Sequence, residues 1–79
     1  MKENLIELKN LPLGRTAKVK HLSSIGAARR RLLDLGLING TVVEAMHKSP
    51  SGDPTAYNIR GAVIALRSEE ASKILVELN

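Results

Sequence analysis

The stretch Arg29-Arg30-Arg31-Leu32-Leu33-Asp34-Leu35-Gly36-Leu37-Ile38-Asn39-Gly40-Thr41 limits this chain more than any other part of it. Ala28, Leu32 and Leu35 fall at i, i+4 and i+7, so a helix would align them on one stripe. Gly36 follows where a helix must stop, because a residue without a Cβ enters the left-handed region without a clash. Leu37 then takes the position from which a Schellman motif presses an apolar side chain back on Leu32. Asn39-Gly40 is a second turn signal, ahead of the β-branched run Thr41-Val42-Val43. The segment therefore predicts a short amphipathic helix, a glycine stop and a strand, closing a small core. Leu33 is left over: it points off the main stripe toward Arg29, and no core obviously claims it.

Seventy-nine residues make one domain, read here as 1–79. A chain of this size buries only about 60% of the surface its unfolded form exposes, so its core is near the lower limit for independent stability. It has no cysteine, which removes disulfides and thiolate metal sites and fits a reducing compartment. The longest apolar run, Ala62-Val63-Ile64-Ala65-Leu66, is far short of the ~18 residues of a membrane span. The opening Met1-Lys2-Glu3-Asn4 leads into no long apolar segment of a signal peptide. The expected location is the cytoplasm, with no direct membrane insertion.

Twelve Lys and Arg against eight Asp and Glu give a net charge of +4, which attracts acidic partners. Tyr57 is the only aromatic residue, and one ring cannot form the stacking platform of a single-strand nucleic-acid binder. Three successive arginines spread over about 200° of a helix, so they make no single reading face for DNA. Nucleic acid is not an expected partner.

Along the chain, Leu5, Leu8 and Leu11 form a lead-in that packs on the core before Pro12-Leu13-Gly14. Lys18 to Leu22 alternates as a strand, with Ala17, Val19 and His21 on one face and Lys18, Lys20 and Leu22 on the other. Ser23 and Ser24 are N-cap candidates for the arginine helix, which Gly26 delays until Ala27. After Gly40, Val42, Glu44 and Met46 alternate with Val43, Ala45 and His47. Ser49-Pro50-Ser51-Gly52-Asp53-Pro54 is dense turn chemistry. Gly52 can supply a positive φ there, and the carboxylate of Asp53, held extended by Pro54, can close an Asx-turn. Thr55 to Arg60 is the next strand, and Gly61 marks a hairpin or bulge. Ala62 to Leu66 reads as a strand buried on both faces. Ser68 caps a short helix with Glu69 and Glu70 in its first turn, and Ile74 to Leu78 returns as a last strand.

Catalysis has little to stand on. The serines lie in caps or turns, and His21 and His47 sit on different strands without a carboxylate to orient them. The same two histidines lack partners at ligand spacing, so no cofactor or tight metal site is expected. The Ser49–Pro54 loop has one glycine and no GxxxxGK[ST] context, so it is not a phosphate loop.

The order of motifs is informative. Leu8-x-x-Leu11-x-x-Gly14, then Arg30-Arg31-Leu32-Leu33-Asp34-Leu35-Gly36-Leu37, then Gly40-Thr41, then Pro50-x-Gly52-Asp53-Pro54, then Ile64-Ala65-Leu66-Arg67-x-Glu69-Glu70-Ala71-x-x-Ile74 resemble the FeoA family. The match runs from about Leu5 to Val76. The chain departs from the family at Asn39, where proline is common before the glycine.

The resemblance implies a mostly β fold: a small SH3-like β-barrel with one inserted helix and one short helix before the last strand. It also implies a small cytosolic protein of bacterial ferrous-iron uptake, acting with FeoB, a membrane permease that bears a G-protein domain. The fold also occurs as the C-terminal domain of iron-dependent repressors, so a metal-binding regulatory domain is the alternative. A chain this short, with no DNA-reading or metal-sensing domain, favours the transport reading. The family brings no catalytic residues. Expected here are a non-enzymatic adapter, a partner-binding patch of Arg29, Arg30, Leu33 and Leu37, and structural turns at Gly36, Gly40, Pro50, Gly52, Asp53 and Pro54.

Overall fold

The computed structural model describes residues 4–79; the opening Met1-Lys2-Glu3, read above as part of a start without a signal peptide, lies outside them. Six strands form one antiparallel sheet: β1 (Leu5–Glu7), β2 (Thr16–Leu22), β3 (Val42–Lys48), β4 (Thr55–Ile59), β5 (Ala62–Leu66) and β6 (Ile74–Leu78). Their spatial order is β1-β6-β2-β3-β4-β5, so the last strand inserts between the first two and ties the chain's two ends together. Helix α1 (Gly26–Asp34) lies in the β2–β3 connection, and the one-turn helix α2 (Ser68–Ala71) lies between β5 and β6. This matches the five expected strands, β2 to β6, and both helices. The strand β1 itself was not foreseen within the leucine lead-in.

The core is built from inward residues of the curled sheet and capped by a few leucines. Ala17, Val19, Val43, Ala45, Tyr57, Ile59, Ile74 and Val76 point inward from the strands, joined by Leu8, Leu11, Leu32 and Leu37 from the connections. Leu8 and Leu11 pack as the lead-in reading predicted, while Leu5 is on an outer strand and largely exposed.

Two bulges break the simple alternation. In β2 the pairing with β6 slips between Val19 and His21, and in β3 the pairing with β4 slips between Ala45 and His47. One extra residue reverses the facing of everything after it. Leu22 therefore joins Ala17 and Val19 inside and His21 turns outward, which corrects the assignment of His21 to the inner face.

The run Ala62–Leu66 also differs from expectation. It is the outer strand of the sheet, paired only with β4, and Leu66 alone is fully buried. Periodicity cannot distinguish a doubly covered strand from an apolar edge.

The corners behave as glycine signals should where the backbone requires them. Gly36 has φ +99°, and its N–H bonds Leu33 O at 2.9 Å while the Leu37 N–H bonds Leu32 O at 3.0 Å. These two bonds are the complete Schellman closure of α1. Asn39-Gly40 forms the second turn, with Thr41 N–H bonding Ile38 O at 3.0 Å and Gly40 at φ +93°.

The serine caps did not form. Ile25 is the N-cap of α1 with no side-chain cap bond, and Ser23 instead donates to Lys73 O. Gly26 has φ +63°, so regular helix does begin at Ala27. At α2 the N-cap is Arg67 and Ser68 is the first helical residue. The orphan amides there are taken by carboxylates: Arg67 N–H by Glu70 Oε1 at 2.9 Å and Ser68 N–H by Asp53 Oδ1 at 2.8 Å. Asp53 thus reaches 15 residues forward and closes no Asx-turn.

Candidate docking surface

The turn residues act as scaffold. Pro50, Gly52, Asp53 and Pro54 shape the β3–β4 loop, which closes through Ser49 N–H to Pro54 O at 3.0 Å and Gly52 N–H to Ser49 O at 2.8 Å. Asp53 then joins this loop to α2, and its second oxygen lies 3.9 Å from an Arg67 nitrogen. Gly36 and Gly40 perform the same service for the α1–β3 connection, where Thr41 Oγ1 donates to Gly36 O at 2.9 Å. Tyr57, the single aromatic residue, donates its buried hydroxyl to Leu8 O at 3.4 Å. Burial pushes its phenol pKa up, so the ring stays neutral and structural.

Helix α1 carries the cationic face, and its three arginines have different roles. Arg29 folds back and donates from Nη1 to Leu22 O at 3.0 Å, which ties the helix to the end of β2. Arg31 pairs with Glu70 of α2. Arg30 is exposed, and no side-chain bond or ion pair engages it among the described residues.

The leucines divide differently from expectation. Leu37 is 0% exposed and belongs to the core, because the Schellman bond to Leu32 turns it inward. It is not available to a partner, which corrects its place in the expected patch. Leu33 is half-buried and packs against the core edge while still lining a shallow pocket with Lys20, His21, Arg29 and Ile38. The sequence reading missed Ile38, which follows the buried Leu37 and is 46% exposed beside this pocket. The signal was available: once Leu37 folds back on Leu32, its apolar neighbour is left outside. Ala28 is exposed too, so the stripe that packs is Leu32 with part of Leu35.

The surface is therefore a shallow, basic pocket with an apolar rim. It sets the Arg29 guanidinium, and the Lys20 ammonium that pairs with Glu77 at 3.7 Å, beside a greasy contact. His21 and His47 are both exposed and lie toward opposite ends of the β2–β3 pair, given the Lys18–Val42 and Thr16–Glu44 register. Among the described residues, no three His, Cys, Asp or Glu side chains converge to hold a metal ion. No helix of the described residues is long and apolar enough to cross a membrane.

Comparison with known proteins agrees with this architecture. A curated relative, the Fe(2+) transport protein A/Fe(2+) transporter FeoB fusion protein of Porphyromonas gingivalis, is 33% identical over 73 residues. Those residues are 92% of this chain but only 9% of that relative's length. The solution structure of FeoA from Chlorobium tepidum superposes with a TM-score of 0.86 at 36% identity, covering 92% of this chain and 70% of the other. The zinc-complexed FeoA of Stenotrophomonas maltophilia, described as a prokaryotic SH3 domain protein, has a TM-score of 0.82 at 32% identity. That match covers 91% of this chain and 89% of the other. The FeoA domain model matches residues 6–78, nearly the whole sequence, and the chain belongs to the FeoA family.

Proposed function

We propose that this chain is a non-enzymatic accessory domain of ferrous-iron uptake that works in the cytoplasm and docks on a FeoB-type permease. The observation that carries the proposal is the Porphyromonas gingivalis relative, in which a homologous segment and the FeoB transporter share one polypeptide. Fusion holds two modules at high effective concentration, an arrangement that favours modules that engage each other. The Stenotrophomonas maltophilia protein, described as a candidate activating factor of bacterial ferrous-iron transport, supports the link to iron uptake.

The docking patch is assigned to Arg29, Arg30 and Leu33, with Ile38 replacing the buried Leu37 as the apolar anchor. Arginine around a central apolar contact is a common composition for the energetic centre of an interface. Arg30 steers approach, while Arg29 and Leu33 hold the pocket's shape.

The test is binding of each variant to the immobilised cytosolic portion of the permease, with circular dichroism run alongside. Ile38→Asp should weaken binding by about 2 kcal/mol, the loss typical of truncating an anchor. Its exposure predicts an unchanged fold. Arg30→Glu should slow association and flatten its salt dependence, since a rim charge acts through steering. Wild-type affinity in both folded variants would refute this surface. Absence of binding by the wild-type chain would refute the adapter reading itself.

A further inference from the structure

Two shallow clefts next to α1 form one continuous surface, because Ile38 and Asn39 line both. The first also has Arg29 and Leu33, and the second has Thr41, Val42 and Arg60. Val42 is 48% exposed, so a second large apolar side chain is open to a partner beside Ile38. The surface assigned to docking thus continues past Ile38 onto β3 and the turn between β4 and β5.

The backbone sets Arg60 in this surface. It is the one non-glycine residue among those described with a left-handed φ, +55°, and its side chain crosses Gly36, where a Cβ would lie 2.9 Å from Arg60 Cδ. The missing Cβ of Gly36 gives the Arg60 stem a shelf. Its guanidinium, by contrast, has no ion pair or hydrogen bond among the described residues. A planar fork on a packed stem loses little freedom when it binds. Arg29, in the first cleft, uses one Nη1 donor on Leu22 O and keeps the rest of its fork open. Lys20 is already paired with Glu77, so the open charge is that of the arginines. No Asp or Glu lines either cleft. Asp34 and Glu44, on the flanking elements, pair with neither arginine.

We propose that this surface receives an acidic, partly apolar segment of the permease, with one carboxylate on the Arg60 guanidinium, a second on the open donors of Arg29, and apolar side chains between them on Ile38 and Val42. The proposal rests on the transporter reading and adds the chemistry of the segment that is bound. Carboxylate fits an arginine fork through two parallel N–H···O bonds. A basic or uncharged segment would cover the same arginines without pairing them, which costs affinity. Phosphate oxygens could satisfy the two forks as well. A nucleic acid, however, would lay its charged backbone over Ile38 and Val42, so the apolar part of the surface favours protein.

The test measures binding to the immobilised cytosolic portion of the permease. Arg60→Glu should weaken it by about tenfold or more, because a charge pair is lost and like charges meet. Lys48→Glu makes the same change in net charge at the far end of β3 and should leave affinity near that of the wild type. Val42→Asp should also weaken binding with an unchanged circular dichroism spectrum, since the side chain is exposed. Arg60→Lys reads the partner's chemistry directly. A carbodiimide joins an amine to a carboxylate in contact with it, so peptide mapping should find position 60 bonded to an Asp or Glu of the permease.

Four results would each overturn the acidic segment: wild-type affinity in a folded Arg60→Glu or Val42→Asp variant, an equal loss in Lys48→Glu, no cross-link at position 60 in the bound complex, or displacement of the permease by a short DNA duplex. The transporter reading would survive any of them if Ile38→Asp still weakened binding. Absence of binding by the wild-type chain would overturn both.

Discussion

Replacing Gly36 with alanine separates two causes that the structure superimposes at one position. Gly36 sits at φ +99°, beyond the narrow left-handed well that a Cβ tolerates, and a Cβ there would lie 2.9 Å from Arg60 Cδ. The second obstacle is the smaller, because Cδ is near the far end of a flexible side chain and can swing away. The first cannot be relieved cheaply. If residue 36 relaxes its φ, both Schellman bonds go, at about 1 kcal/mol each. If it holds its φ, the strain is about 1–3 kcal/mol. Either route gives a loss near 2 kcal/mol, and at roughly 4–8 °C per kcal/mol for a domain of this size the melting temperature should fall by about 8–16 °C. Gly36→Val should cost more, since its branched Cβ tolerates positive φ less well. Thermal denaturation of Gly36→Ala, Arg60→Ala and the double variant checks the cause. If backbone conformation dominates, the two effects add to within about 0.5 kcal/mol. An unchanged melting temperature, or full rescue of Gly36→Ala by Arg60→Ala, would refute the reasoning.

Two further outcomes follow from polar groups the fold depends on. Asp53→Ala should destabilise by about 0.5–2 kcal/mol in urea denaturation, because the Ser68 N–H loses its acceptor. Asp53→Asn, which keeps an acceptor oxygen, should recover most of that, whereas equal losses would place the effect in charge. Tyr57 has its pKa raised above the ordinary value near 10 by burial, so above that pH the unfolded chain releases the phenolic proton before the folded one does. Stability is therefore fully held below about pH 10 and falls as pH rises toward the folded-state pKa. Tyr57→Phe should be less stable at neutral pH, and the alkaline slope in chemical denaturation should shrink; an identical slope would mean other groups cause it.

What could be read from sequence was what is decided within a few residues. The Leu32–Gly36–Leu37 closure is local, and its chemistry names itself: a glycine at the stop, an apolar residue after it and another four before. The same logic should have removed Leu37 from the expected patch, since a side chain turned back on Leu32 is not on the surface. Three other features depend on partners far along the chain. The bulges at β2 and β3 arise from register with β6 and β4, and nothing in Lys18–Leu22 alone announces that Leu22 turns in. Asp53 looked like a turn-former because its acceptor role is satisfied 15 residues away. Ala62–Leu66 looked buried because five apolar residues in a row have no period, and only the strand order shows that β5 is last.

The way α1 is held bears on what it can do. Of its nine residues only Leu32 is fully buried, and its N-terminus has no side-chain cap and begins on a left-handed Gly26. Ile25, at that N-cap, is 83% exposed, and the neighbouring Ser24 hydroxyl is buried without a hydrogen-bond partner. The helix is instead fastened along its length and at its end: Arg29 to the Leu22 carbonyl, Arg31 to Glu70, and the Schellman turn to Leu37. Local stability follows buried contacts and satisfied backbone groups, so it increases from Ile25 toward Gly36. The proposed docking residues Arg29, Leu33 and Ile38 lie within the fastened portion. A surface there meets its partner already shaped, without the ordering cost that a loose helix would add to binding. The arginines thus differ in a way that their sequence run conceals: Arg29 and Arg31 hold the helix in place, while Arg30 is exposed with no side-chain partner among the described residues, as the proposed docking requires.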